Sequence, residues 1–342
     1  SSKLIPETQY YLAVGYFSAE DYHTAKNILE DFIKNYPQSN LLCKAYYLYG
    51  KCFFNEKEYN KAIEIFKLVK EKTSDSELKE LAWIDIGNAY LNMGFSEKAK
   101  NVWEEFLNNF SDSQYIGGVI LNLGGFYEKE GNYSQAEKYY KLVIENYSNS
   151  IWIDEALLSL GHLYWIREDL DNAIIYFRQL ANSSVPLAIK AKFYLAKVYT
   201  QKNNFKEALE LYDELINMST EISKTAMLEK ALLLKDLKAY EEAIELFNKL
   251  ISLGFDSFKV RFSLGFCFEK INRNQDAINE YLNIIYRSKD NSYKIKAYFR
   301  IARIYEKENR IDLAKETYKK ILDFGTKESK IAKLKLEALE KK

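Results

Sequence analysis

Nucleophiles, metal ligands and proton carriers are the raw material of catalysis, and in this chain they are few and scattered. Two histidines, His23 and His162, are too far apart in sequence to suggest a triad or a metal site. Three cysteines, Cys43, Cys52 and Cys267, are odd in number and lack C-x-x-C spacing, so neither a disulfide framework nor a zinc site follows. No phosphate-binding P-loop and no G-x-G-x-x-G turn occurs; the Gly-Gly pairs at 117–118 and 124–125 fall inside a predicted helix, not between strand and helix. Paired glutamates at 104–105 and 241–242 read as solvated helix faces. The expectation is a protein that is not an enzyme and holds no cofactor and no metal. What recurs at fixed spacing is aromatic, small and basic side chains, which is binding chemistry.

The elements that position them come from a repeat. A small residue is followed twelve positions later by Ala in nine pairs, from Ala13/Ala25, Gly50/Ala62, Gly87/Ala99 and Gly124/Ala136 to Ala302/Ala314. The second members lie 34–37 residues apart, the period of a solenoid of stacked supersecondary units. A large residue sits three after each small one (Tyr16, Phe53, Tyr90) and four after each Ala (Leu29, Phe66, Trp103). Spacings of three and four define one helical face, so each unit is two amphipathic helices whose small residues admit the neighbouring side chains. Ser39, Ser76, Ser113 and Ser150 are placed to cap the following helix, and Pro186 sits near a helix start. The predicted boundaries are 6–42, 43–79, 80–116, 117–153, 154–188, 189–223, 224–257, 258–294 and 295–326. A capping helix is predicted over 327–342, with Ile331, Leu334, Ala338 and Leu339 turned to the core.

The motif Trp83-x-x-Ile86-Gly87-x-x-Tyr90 with Ala99-x-x-x-Trp103, repeated as Leu157-x-x-Leu160-Gly161-x-x-Tyr164 with Ala173-x-x-x-Phe177, resembles the tetratricopeptide repeat over residues 6–326. The resemblance implies an all-α, right-handed α-solenoid of nine helix pairs. It also implies a concave groove, lined by first helices, that binds partner segments. Ser96 and Asn274 depart from the large residue that most units place at the entry to the second helix, which predicts looser turns there. The chaperone-tail clamp of some family members needs Lys three before the small residue; Ile84 stands there beside Asn88, so that recognition is not expected.

Candidate groove residues follow from phase. Three before the small residue stand Tyr10, Tyr47, Ile84, Leu121, Leu158, Phe193, Leu228, Phe262 and Phe299, with Phe54, Trp165 and Phe266 as further apolar candidates. Such a stripe is either scaffold or a floor for a partner helix or extended segment. One after the small residue the units diverge, with Asn88, Gly125, His162, Lys197 and Arg303 in the series, a place for specificity. Gly118 and Gly125, seven apart, clear two turns of side chains either for helix packing, the favoured reading, or for a ligand. Lys190, Lys197, Lys259, Lys296, Arg300 and Arg303 make the later first helices basic, whereas Glu7, Asp85 and Glu155 stand on the early ones; this is either a solvated face or a field that steers an acidic peptide. Cys52 and Cys267 are expected to be buried, and Cys43 more exposed.

Composition narrows the partners. Forty-nine basic against 49 acidic residues leave no net charge, which argues against nucleic acid. No apolar run reaches the ~18–20 residues of a membrane span. With only 3 Pro and 13 Gly the chain is expected to be helical throughout. The start at Ser1-Ser2-Lys3 without Met fits a processed or trimmed chain and does not decide whether a signal or lipid anchor precedes it. Junctions such as Asn35-Tyr36-Pro37-Gln38-Ser39 and Asn146-Tyr147-Ser148-Asn149-Ser150 resemble those of bacterial envelope repeat proteins, including outer-membrane assembly lipoproteins. That resemblance implies a periplasmic or envelope-associated interaction scaffold with a protein or peptide partner. A cytoplasmic adaptor or regulatory subunit and a polysaccharide or peptidoglycan binder are the alternatives.

Overall fold

The computed structural model describes residues 4–147 and 150–340. Ser148 and Asn149 of the fourth junction, Ser1-Ser2-Lys3, and Lys341 and Lys342 at the end of the predicted cap lie outside the described residues. Among the described residues there are nineteen helices and no strand. The chain divides into two compact units at a point within one helix, the first running to Tyr176 and the second from Phe177.

In the first unit the pairs are α1 (Leu4–Ser18) with α2 (Tyr22–Asn35), α3 (Leu42–Asn55) with α4 (Tyr59–Lys72), α5 (Ser76–Asn92) with α6 (Ser96–Asn109), and α7 (Ile116–Lys129) with α8 (Tyr133–Asn146). α9 (Ile153–Ile166) and the start of α10 (Leu170–Ala181) complete it. The second unit holds the rest of α10, then α11 (Leu187–Gln201) with α12 (Phe205–Asn217), α13 (Glu221–Asp236) with α14 (Tyr240–Ser252), α15 (Phe258–Lys270) with α16 (Asn274–Arg287), α17 (Asn291–Lys307) with α18 (Ile311–Leu322), and α19 (Lys327–Glu340). The starts of α5 and α17 precede the predicted boundaries by four residues.

Each core joins one pair to the first helix of the next. Ala13, Ala25, Leu29 and Phe32 bury with Ala45 and Cys52 of α3, and Ala62, Phe66 and Val69 bury with Ala82, Ile86 and Ala89 of α5. The small residues are needed because rings lie on them. A Cβ at Gly50 would meet Phe66 Cε1 at 2.7 Å and one at Gly265 would meet Tyr281 Cε1 at 2.8 Å; at Gly87 and Gly124 it would overlap Trp103 and Tyr140. Within each unit, α1/α3, α3/α5, α7/α9, α11/α13, α13/α15 and α15/α17 are neighbours, so odd-numbered helices form one layer with their partners behind it.

All nine within-pair turns are the same object. The residue five before the Ala is left-handed: Glu20, Lys57, Gly94, Gly131, Glu168, Asn203, Lys238, Asn272 and Asn309, with φ between 58° and 81°. The next N–H reaches back to the carbonyl of the large residue three after the small one, as in Asp21 N to Tyr16 O at 3.0 Å and Asn132 N to Tyr127 O at 2.8 Å. This is the Schellman closure that satisfies the last helical carbonyls. The turns before Ser96 and Asn274 keep the closure, so the lost large side chain leaves the backbone unchanged.

Junctions between pairs vary, and the serines act differently from expectation. Ser39, Ser113 and Ser150 accept from the N–H two residues on, at 3.2, 3.0 and 3.2 Å, forming turns that lead into the helix rather than capping it. Ser76 is the first residue of α5, and the cap is Asp75, which accepts from Leu78 N at 3.2 Å. The last helix is also rotated from its expected face. Leu339 is buried as expected, together with Ala332 and Leu336, whereas Ile331 and Leu334 are 54% and 66% exposed and Ala338 is exposed. Positions 332, 336 and 339 keep the i, i+4, i+7 pattern one residue out of step, because small Ala332 is what fits against α17 and α18.

Candidate functional site

The first-helix candidates fall on the solvent-reaching side of the odd-numbered layer. In the first unit Tyr10, Tyr47, Phe54, Ile84, Asn88, Gly118, Leu121, Gly125, Leu158, His162 and Trp165 are all half-buried. In the second, Phe193, Lys197, Phe262, Phe266 and Phe299 are half-buried and Arg303 is exposed. The aromatics four after each Ala, such as Phe66, Trp103, Tyr212 and Tyr281, are by contrast closed off completely or nearly so. Four strip aromatics lean on one of these core rings, Tyr47 on Phe66 at 5.7 Å, Phe193 on Tyr212 at 6.5 Å, Phe262 on Tyr281 at 5.4 Å and Phe299 on Tyr318 at 6.0 Å between centroids, and Tyr10 leans on the buried Phe32 at 6.2 Å. One side of the ring is therefore scaffold, and the residue keeps part of its surface in solvent.

The polar groups of the first unit are largely spent on one another. Tyr47 Oη donates to Asp85 Oδ2 at 2.7 Å, and Lys51 Nζ stands 3.1 Å from the same oxygen. Asp85, expected on the groove face, is instead 6% exposed and internal. Its registry carries it between α3 and α5, where only a paired carboxylate is tolerated. Burial, then the charge of Asp85, pushes the Tyr47 hydroxyl far above its ordinary range. Asn122 Nδ2 donates to Asn88 Oδ1 at 3.4 Å. His162 Nδ1 lies 3.5 Å from Glu128 Oε1, and Tyr140 Oη donates to Glu128 Oε2 at 2.8 Å. Burial pushes the Glu128 carboxyl up, but these two partners outweigh it and hold it below the usual glutamate range. His162 also meets the Trp165 ring edge-on at 6.1 Å.

The two glycines of α7 part company. A Cβ at Gly118 would meet Trp152 Cζ2 at 2.9 Å, so this glycine serves packing against the residue that opens α9. At Gly125 the nearest atom is Tyr140 Oη at 3.8 Å, ordinary contact, and the strip is open there. Trp152 lies outside the repeat's fixed positions, so no periodic signal marks it.

In the second unit Lys197 Nζ sits over Phe193 at 5.7 Å and 3.8 Å from Glu229, so its charge is partly answered. Farther on, Phe262, Phe299, Arg300, Arg303, Glu306, Lys296, Tyr318, Ile331 and Lys335 enclose a pocket of about 470 Å³. Arg300 stacks 5.0 Å from Phe266 and 5.9 Å from Phe262, with Glu269 Oε2 at 3.4 Å. Tyr318 Oη donates to Glu306, and burial followed by that carboxylate raises its pKa. Lys335 and Ile331 come from α19, and sequence phase did not assign them to this surface. The signal available was the tyrosine four after the Ala facing a glutamate four after the small residue, in Tyr140/Glu128, Tyr281/Glu269 and Tyr318/Glu306.

Cys52 and Cys267 are buried and Cys43 half-buried, as expected; burial raises the Cys52 and Cys267 thiols to about 12. Among the described residues no group of three or more His, Cys, Asp or Glu is placed to hold a metal ion, and no helix is long and apolar enough to cross a membrane.

Family models described as tetratricopeptide repeat match residues 118–150 and 295–324, and, for a second model, 158–221 and 195–258. Residues 5–69 match the model for anaphase-promoting complex, cyclosome, subunit 3. No curated protein matches the sequence significantly. Among solved structures, a tetratricopeptide repeat protein from Parabacteroides merdae ATCC 43184 is 16% identical, with 76% of this chain and 98% of that one covered and a TM-score of 0.50. PilW, a widely conserved type IV pilus biogenesis factor, is 19% identical, with 65% of this chain and 97% of that one covered and a TM-score of 0.50. At such identity the likeness is one of fold.

Proposed function

We propose, from the premise that this chain is a tetratricopeptide-repeat protein, that it is a non-enzymatic interaction scaffold whose odd-numbered helices bind a peptide or helix of a protein partner. One observation carries the reading. Eight of the nine residues three before the small position stay half-buried, with only Leu228 closed over, while all nine large residues four after the Ala are buried. A repeat that needed both series only for its core would bury both. Half-open aromatic and aliphatic groups flanked by variable polar ones are what a partner segment desolvates on docking. Each unit offers such a strip, Tyr10 to Trp165 in the first and Phe193 to Arg303 in the second.

The process we infer is assembly of a bacterial envelope complex. The junctions ending in Ser39, Ser113 and Ser150 support it, and the fold shared with PilW is compatible with it. Site-specific photo-crosslinking in the native cell is the test, with the probe at Tyr47 or Phe299 and, as a control, at exposed Glu64 of α4. Adducts to one protein from the strip positions and none from Glu64 are expected, in an envelope fraction. Adducts from Glu64 alone would move binding to the even-numbered layer, and a cytoplasmic partner would favour an adaptor. Quenching of tyrosine fluorescence by soluble peptidoglycan fragments, without protein adducts, would replace the scaffold by a glycan binder.

A further inference from the structure

The pocket that α19 closes against α15, α17 and α18 differs in charge from the rest of the strip. Its lining holds four cations, Lys296, Arg300, Arg303 and Lys335, against one carboxylate, Glu306, which already accepts from Tyr318. Arg300 is answered by Glu269. Among the described residues, no carboxylate makes an ion pair within 4 Å of Lys296, Arg303 or Lys335, all three exposed, and only the exposed Glu328 of α19 feels the charge of Lys296 from farther off. Phe262 and Phe299, backed by core tyrosines, supply an apolar floor, and Ile331 an exposed apolar lip.

Spacing selects the occupant. Lys296, Arg300 and Arg303 follow i, i+4, i+7 on α17, which sets them roughly 6 and 4.5 Å apart along the helix axis, about 10 Å in all. Side chains on one side of an extended peptide recur every ~6.6 Å. A compact anion would engage one end of such a row, whereas an extended chain meets the whole of it and sets its intervening side chains on the phenylalanines. We propose that this pocket binds an extended acidic peptide segment in which carboxylates alternate with aromatic or aliphatic residues. The proposal rests on the scaffold reading, since it assigns the occupant of one end of the second unit's strip.

Fluorescence anisotropy on the full chain tests it, with a labelled peptide alternating aspartate with phenylalanine. Saturable binding is expected that weakens with salt and falls ~10-fold or more when Lys296→Glu and Arg303→Glu are combined. Lys67→Glu with Lys34→Glu, exposed on even-numbered helices, makes the same charge change elsewhere and leaves binding as it was. Circular dichroism checks that both variants fold alike. The idea is overturned by no binding, by equal binding of a peptide with asparagine in place of every aspartate, by an unaffected charge-reversed pocket, or by full competition from tripolyphosphate at a concentration matching the negative charge of the peptide. Crosslinks from Tyr47 or Phe193 in the presence of any of these results would leave the scaffold standing and remove only this pocket's assignment.

Discussion

Among the described residues Asp85 and Glu269 are the charged side chains that the packing closes over, and each survives by being paired. Removing the partner of a buried carboxylate costs more than removing the carboxylate. Lys51→Met is therefore expected to lower the urea midpoint by the equivalent of about 1–3 kcal/mol. Adding Asp85→Asn to that variant recovers part of the loss, and failure to recover it would mean that Lys51 acts through packing instead. Glu137 gives a pH signature. Burial raises its carboxyl, but Lys141, Tyr164 and Arg167, with contacts of 2.7 Å each, overcome this and set it at about 2. A folded value below the unfolded one of about 4.3 stabilises fully above the latter and is lost as pH falls through the former. The stability gap between the protein and Glu137→Gln should thus be full at pH 7, shrink below about pH 4 and close near pH 2 in urea titrations. Only Lys141 with Glu137, four apart on one helix, was open to a sequence reading; the other partners lie 27–38 residues apart in neighbouring repeats, and phase alone does not say which charge reaches which.

Helices were far more legible than their contacts. Phase placed Gly50 and Gly265 beneath rings, and the structure puts Phe66 and Tyr281 there at distances a methyl group cannot share. Gly50→Ala should consequently destabilise by about 1–3 kcal/mol despite its better helix propensity. Gly15, in α1 with nothing within 4 Å of its missing Cβ, provides the opposite sign. Gly15→Ala should stabilise by about 0.5–1 kcal/mol. Equal destabilisation of both would show that ring contact is not what the small position protects. The last helix was misread by one residue because its apolar positions outnumber those a single face can hold, so the sequence offers two faces and only the shape of α17 and α18 chooses. Likewise Ser39, Ser113 and Ser150 carry the right chemistry, two residues early. The strip was legible in phase, whereas Trp152 over Gly118 was not, being outside the repeat.

At the scale of the molecule, stability is a sum of neighbouring interfaces rather than of one core. Deleting α19 uncovers Tyr318, Ile321 and Ala314, which bury with Ala332 and Leu339. Hydrogen exchange of a chain ending at 326 should quicken in α17 and α18 and stay unchanged in α1 to α8; uniform acceleration would mean the chain unfolds as one cooperative body. The identical turns have a larger consequence. Four of the nine left-handed positions hold Glu20, Lys57, Glu168 and Lys238, side chains that pay about 1 kcal/mol or more for a conformation glycine adopts freely. All four are exposed and none belongs to the strip. Glycine at each should raise the melting temperature stepwise, the effects adding because the sites are distant. Durability in this protein can be adjusted one hinge at a time while its recognition is left alone, so the lifetime of the scaffold and the choice of its partner are free to change independently.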